Sequence, residues 1–309
     1  MSENKFMRIN KDILLQGTLS PFEVYFPTSL DSQMELCLSK EEVITLNHMD
    51  FIEEKRSLYI KQHDKELYKN IAFTYEASLK RTPYEKKTHV VYAKATNVIE
   101  ELFHNPETLG GNEKAKDVVD DLVQTILHDE YTIRSLMKIA THDYYTHTHS
   151  LNVSIYALSL GAYMKLTKEQ LSELGESALL HDLGKSKIAV EIINKNGKLT
   201  DEEFTKMKKH PELGFHLAIA MGIKNKNILH GIRYHHEKMD GSGYPSKLKK
   251  QSIPLFARIV GLCDIFDALT SKRSYKEAMT TFEALSLIKT KMNNHVDLNL
   301  LNNMIKMFK

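Results

Sequence analysis

The sequence predicts a mainly α-helical protein with a small α/β domain at its N-terminal end, and three observations carry that reading. The 309 residues include only 13 glycines and 7 prolines, too few turn-formers for a many-stranded barrel or sandwich. From Tyr84 onward apolar residues recur at helical spacing, and several stretches open on capping-box patterns. Residues 1–83 differ in texture, with short β-branched or aromatic runs punctuated by glycine and proline.

Along the chain, residues 13–15 and 22–26 (FEVYF), bounded by Gly17, Pro21 and Pro27, suit strands. Ser39-x-x-Glu42 has capping-box form ahead of Val43, Ile44 and Leu46, which predicts a helix there. Leu67, Ile71, Tyr75 and Leu79 lie at helical spacing within residues 64–79. Pro83 closes that helix, because proline disfavours the helical conformation in the residue before it, and a domain boundary is placed at residue 83. Residues 90–103 and 115–127 carry apolar stripes separated by the turn-forming segment 105–112 (NPETLGGN), so residues 84–141 read as a helical connector. Thr167-x-x-Gln170, Thr200-x-x-Glu203 and Thr280-x-x-Glu283 open three further helices.

Composition excludes several classes. Apolar residues at 42% and charged residues at 27% are the ordinary mix of a folded soluble protein. A net charge of +2 gives no argument for a nucleic-acid polymer or an anionic membrane as partner. Cys37 and Cys263, without a CxxC pattern, exclude a disulfide scaffold and a thiolate metal site. The longest charge-free apolar-leaning stretch, residues 151–164, falls short of the ~20 residues that span a bilayer. The first residues lack the apolar core of a signal peptide. A cytoplasmic protein is expected.

The histidines are unevenly spread: of 15, nine lie between His142 and His236. His48, His63, His89, His104, His128 and His295 read as surface or satisfied core residues, and His142, His147, His216 and His230 as bystanders. His181-Asp182-x-Gly184-Lys185 is different, because it follows the apolar run Ala178-Leu179-Leu180. An adjacent imidazole and carboxylate at a helix end can reach one metal or bridge two, with Lys185 a turn beyond His181 as a nearby cation. Downstream come His210, the pair His235-His236 with Glu237, and Asp264 after an apolar run. All are nitrogen or oxygen donors, a set that suits Fe, Mn, Zn or Ni.

Five segments carry a family likeness. They are Thr146-x-x-His149-Ser150-x-x-Val153, His181-Asp182-Leu183-Gly184-Lys185, Lys209-His210-Pro211, His235-His236-Glu237-x-x-Asp240-Gly241-x-Gly243-Tyr244-Pro245, and Asp264-x-x-Asp267-Ala268-Leu269-Thr270-Ser271-x-Arg273-x-Tyr275-Lys276. Together they span residues 145–276 and resemble the HD-GYP subgroup of the HD-domain phosphohydrolases, helical metallo-phosphodiesterases that act on the bacterial second messenger cyclic di-GMP.

The resemblance implies an all-α HD-type metallohydrolase domain over residues 142–309, with residues 1–83 as a regulatory or partner-binding domain. It implies two divalent metal ions, with Fe the implied metal and Mn, Zn or Ni admitted. One ion would take His149, His181, Asp182 and Asp264. The other would take the second oxygen of Asp182 with His210, His235 and His236, so that Asp182 bridges. Catalytic roles fall to Asp182 and Lys185, and substrate contacts to Lys185, Tyr244, Arg273 and Lys276. Asp267 is expected to orient a metal ligand rather than to bind metal. The implied reaction is hydrolysis of cyclic di-GMP to pGpG, and onward to GMP, by hydroxide held between two metals. The alternative is a catalytically weak or silent receptor or scaffold for the nucleotide or for GGDEF-type signalling proteins. A hydrolase for another nucleotide is disfavoured by the GYP signature.

The chain departs from the family pattern at three points. Tyr145 stands where metal-rich members carry a glutamate, which predicts two metals rather than three. Lys247 and Lys250 replace two glycines of the loop after the signature, where lysine adopts glycine-like angles only at a cost. Residues 1–83 lie outside the match.

Overall fold

The structure, a computed structural model, describes residues 5–15, 18–28, 34–55, 57–79, 83–106, 110–128, 136–137, 140, 146–195, 197–271 and 278–308. The chain divides into two compact units, residues 1–82 and 83–309.

In the first unit, strands β1 (Phe6–Ile9), β2 (Val24–Pro27), β3 (Met34–Leu38) and β4 (Leu58–Lys61) form one sheet in the order β1-β4-β2-β3. Helices α1 (Leu46–Glu54) and α2 (Lys65–Leu79) accompany it. Phe22, Val24, Leu38, Ile44, Leu58 and Ile60 are buried at the centre of its core. Every described pairing is antiparallel, so the unit is α+β rather than α/β, which needs parallel strands joined by crossover helices.

Two local expectations are corrected. Residues 13–15 are not a strand: Lys11–Ile13 is a 3₁₀ turn and the Leu14 amide bonds to the Lys11 carbonyl. Ile13 and Leu14 are both buried, so the run lacks the alternation of a half-buried strand. The Ser39 capping box forms only in part. The Glu42 carboxylate accepts the Ser39 amide at 2.8 Å, but Glu41 takes φ 64° and the chain turns instead of entering a helix. The helix starts at Leu46, where Thr45 and His48 close a box of their own.

The second unit comprises α3 (Pro83–His104), α4 (Gly111–His128), α5 (Thr146–Tyr163), α6 (Lys168–Leu179), a 3₁₀ turn (Leu183–Lys187), α7 (Val190–Ile193), α8 (Asp201–Met207), α9 (His210–Ala220), α10 (Lys226–Tyr234), α11 (Leu255–Thr270), α12 (Thr281–Lys291) and α13 (Leu298–Met307). The capping boxes expected at Thr167, Thr200 and Thr280 all form. Helix α5 is the axis. Leu151, Val153, Ile155, Tyr156, Ala157, Leu158 and Leu160 are all buried, and α5 packs on α3, α4, α6, α11 and α13. Two of its buried polar side chains, Asn152 and Ser154, are satisfied within the core. Asn152 donates to the Ala140 carbonyl and accepts from the Tyr92 hydroxyl, and Ser154 donates to the Gly175 carbonyl.

The described helices of the expected connector, α3 and α4, do not form a separate element. Tyr92, Ile99 and Leu102 of α3, with Val119, Leu122 and Ile126 of α4, belong to the same core as α5 and α6. Their apolar stripes need a partner face, and α5 and α6 supply it. Among the described residues no helix is long and apolar enough to cross a membrane.

Candidate metal centre

Five elements converge on one point. His149 lies in the first turn of α5, His181 and Asp182 follow the C-terminal end of α6, and His210 opens α9. His235 and His236 follow α10, while Asp264 and Asp267 lie one turn apart on α11. Two glycines let the elements meet. A Cβ on Gly184 would lie 1.9 Å from the His210 carbonyl oxygen, so glycine is what seats α9 against the turn carrying Asp182. A Cβ on Gly261 would lie 2.4 Å from the His235 carbonyl oxygen, and its absence brings the His235-His236 pair beside Asp264. The Gly184 requirement explains the glycine of the HDxGK motif; both contacts were invisible in the sequence.

The seven side chains gather into two groups, Asp182, His210, His235 and His236 in one and His149, His181 and Asp264 in the other, with donor atoms within 4.8 Å of one another in each. Asp182 joins them. Its Oδ2 lies 3.6 Å from His149 Nε2 and 3.6 Å from His181 Nε2, and its Oδ1 lies 3.3 Å from His210 Nε2. Asp264 Oδ1 is 3.1 Å from His149 Nε2, and its Oδ2 is 3.8 Å from His236 Nδ1. Lys185 Nζ is 2.5 Å from Asp182 Oδ2.

The imidazoles are locked by their far nitrogens. His181, His210 and His235 each donate Nδ1–H to a carbonyl, those of Ala178, Met207 and Ile232, at 2.7, 2.8 and 2.7 Å. A carbonyl can only accept, so each Nε2 is left to face the site as a lone-pair donor. His149 Nδ1 is held instead by Asp267 Oδ2 at 2.7 Å. Asp267 therefore touches a candidate ligand and not the cluster itself.

Burial pushes the His181, His235 and His236 pKa values down, that of His236 to about 3, and burial against the Asp182 charge pushes His210 to about 4. Burial also opposes charge on His149, but hydrogen bonds to Asp264 and Asp267 outweigh it and raise the pKa to about 10. Burial works against ionised Asp182, yet Lys185 and the surrounding imidazoles hold its carboxyl well below the usual range. Asp264 is likewise lowered, burial being outweighed by the His149 hydrogen bond. Four neutral imidazoles facing two ionised carboxylates are in the protonation state that metal ligation requires. The His181 Nε2 atom is buried without a hydrogen-bond partner, an orphaned lone pair that a cation would satisfy. The cluster fits a divalent metal.

The signature loop closes over the same point. The Tyr244 ring packs on His236 with centroids 4.8 Å apart, and burial raises its phenol pKa, so the hydroxyl stays protonated. Glu237, buried, accepts the Ser246 and Leu248 amides at 2.6 and 3.0 Å and so pins the loop to the end of α10. Adjacent to His236 in sequence, Glu237 was not assigned this role by the motif reading. Lys247 and Lys250 take φ 56° and 48°, the left-handed angles that the two glycines of the family pattern would adopt freely. His295, read as a surface or satisfied core residue, lines a cavity together with His235, His236 and Asp264, and its Nε2 lies 3.6 Å from Asp240. His216 is exposed and His230 packs on Tyr234. Arg273, Lys276, Tyr145 and His142 lie outside the described residues, as does the side chain of His147.

Comparison with known proteins gives concordant matches. The family profile described as "HD domain" matches residues 122–300. A cyclic di-GMP phosphodiesterase of Pseudomonas aeruginosa, PA4108, is 35% identical over 183 residues, covering 59% of this chain and 44% of its own length. The cyclic di-GMP phosphodiesterase response regulator RpfG of Xanthomonas campestris is 44% identical over 126 residues, covering 40% of this chain and 33% of its own. The chain thus spans less than half the length of these relatives. The solved structure of Bd1817, an HD-GYP-type protein from Bdellovibrio bacteriovorus, superposes with a TM-score of 0.65 at 19% identity, covering 98% of this chain and 99% of that one. That likeness is one of fold.

Proposed function

Because the chain belongs to the HD-domain family and carries the complete HD-GYP signature, we propose that it is a metal-dependent phosphodiesterase that hydrolyses cyclic di-GMP to pGpG and onward to GMP. The observation that carries this reading is Asp182, whose two oxygens face opposite halves of the seven-donor cluster. His149, His181, Asp264 and Asp182 Oδ2 would hold one ion, and His210, His235, His236 and Asp182 Oδ1 the other. When bound, such a pair of ions supplies Lewis-acid neutralisation of the phosphodiester and a nucleophile at neutral pH. The family resemblance favours Fe, and the nitrogen and oxygen donors also suit Mn, Zn or Ni.

The chain's own residues do the rest. Deep burial keeps His181, His210 and His235 neutral, and burial lowers the pKa of the part-exposed His236 as well, so charge interactions with the substrate are screened less than in water. Asp267 keeps the His149 ring aimed, and the loop pinned by Glu237 holds Tyr244 on His236 at the mouth. Lys185, part-exposed beside Asp182, is placed to give a hydrogen bond and a charge to a non-bridging phosphate oxygen as the leaving bond lengthens. Arg273 and Lys276 complete the phosphate grip in this reading, and Tyr145 in place of a glutamate limits the centre to two ions. Residues 1–83 would act as the regulatory or partner-binding unit, with GGDEF-type signalling proteins as the partner class.

One observation favours a silent receptor instead: the altered loop, with Lys247 and Lys250 at left-handed angles. Incubating the purified chain with cyclic di-GMP and Mn or Fe(II), then resolving the products by chromatography, separates the two. The enzyme reading expects pGpG or GMP to accumulate with metal and not with chelator. Tight nucleotide binding without product would overturn it in favour of the receptor.

A further inference from the structure

Away from the metal centre, α4, α6 and the segment leading into α10 enclose a cavity of about 490 Å³ that shares no lining residue with the seven-donor cluster. Its size is that of a small-molecule site. Two of the acidic groups on its wall are engaged by neighbouring side chains. Asp120 accepts the Ser172 hydroxyl at 2.7 Å, and Glu173 accepts the side-chain amides of Asn225 and Asn227 at 2.6 and 2.8 Å. Glu176, 6% exposed, lines the cavity, yet among the described residues nothing hydrogen-bonds its carboxyl. Burial raises its pKa to about 7, the nearby Lys116 charge notwithstanding. A buried carboxyl with no donor is costly to the fold, and such a group facing open volume is a receptor for donors that the protein does not itself supply.

The rest of the lining points to the ligand. Ile223 and Ile228 are buried and present aliphatic surface, while Lys116, Lys168 and Lys224 stand exposed around the opening and outnumber the one exposed carboxylate there, Glu169. The matching molecule has a flat apolar face, a paired N–H edge and an anionic arm. Guanine carries two adjacent donors, N1–H and the 2-amino group, which suit the two oxygens of one carboxylate. A 5′-phosphate suits the lysines. The adenine edge offers an acceptor beside a single donor and would set one lone pair against another.

We infer that this cavity is a guanine-nucleotide site separate from the metal centre, in which Glu176 reads the base edge and Lys116, Lys168 and Lys224 receive the phosphate. The inference does not rest on the proposed hydrolysis, since none of these residues belongs to the metal centre.

Equilibrium dialysis of the full chain at neutral pH, with GMP and separately with AMP, tests it. GMP should bind at least about tenfold more tightly than AMP, and Glu176→Gln should weaken GMP binding by about 10–100-fold without weakening AMP, because the glutamine amide pairs with the adenine edge. Lys168→Glu, at an exposed position, should weaken both nucleotides. Turnover at the metal centre should be the same in both variants and the wild type, so binding of GMP there does not mimic the effect. Equal affinity for GMP and AMP, absence of GMP binding, or full GMP binding in both variants would overturn the assignment.

Discussion

Replacing Glu176 by glutamine should stabilise the protein above neutral pH, by an amount set by its burial. The carboxyl has a reference pKa of 4.5 and is raised to about 7 in the fold. Between those values the native state binds more protons than the unfolded chain, so stability falls as pH rises through the window, and the whole penalty is present above it. The shift corresponds to roughly 3 kcal/mol, with little discount for solvent because the residue is 6% exposed. Glutamine has the shape of the protonated acid and no charge to bury. Urea unfolding of both proteins at about pH 8 should show the variant more stable by that amount, and at about pH 4.5 the difference should nearly vanish. Other titrating groups cancel in the comparison. An equal difference at both pH values, or a variant less stable at the higher one, would refute the reasoning.

Three further outcomes follow from the metal centre. Lys185→Ala should leave metal content unchanged and slow hydrolysis by about 10²–10³, the usual loss for one charge-stabilising donor; a parallel fall in bound metal would make Lys185 a support for Asp182 instead. Gly184→Ala places a Cβ 1.9 Å from the His210 carbonyl oxygen, so α9 must move. Thermal melts should show a loss of about 1–3 kcal/mol, with metal content reduced, and a wild-type melt with full metal would contradict the close approach. Asp267→Asn removes the carboxylate that holds His149 Nδ1 and should weaken metal binding about 10–100-fold in chelator competition. Unchanged affinity would mean that the His149 ring needs no such anchor.

The metal cluster was legible because its chemistry sits in local words: an HD pair after an apolar helix end, a His-His pair, and an aspartate on the face of an apolar helix. Helices whose caps are encoded within four residues, at Thr167, Thr200 and Thr280, were equally readable. What escaped depends on distant partners. Ser39 and Glu42 made half of their box, yet the backbone bonds of residue 20 to residues 41 and 42 drew that segment into a turn. Residues 13–15 resembled a strand because local pattern cannot distinguish a short buried turn from a buried strand. The stripes of α3 and α4 showed that those helices need a partner but not which one, so they read as a connector rather than as part of the core. Glu237 and Gly261 act through contacts with backbone that no spacing rule reveals.

The central claim is that Asp182 joins two halves of one catalytic centre. Metal content by elemental analysis and hydrolysis of cyclic di-GMP, measured on the same preparations of wild type and Asp182→Ala, test it most directly. The wild type should carry two ions per chain and yield pGpG, whereas the variant should remain folded, lose metal and yield no product. A variant that kept both ions and full turnover would contradict the account.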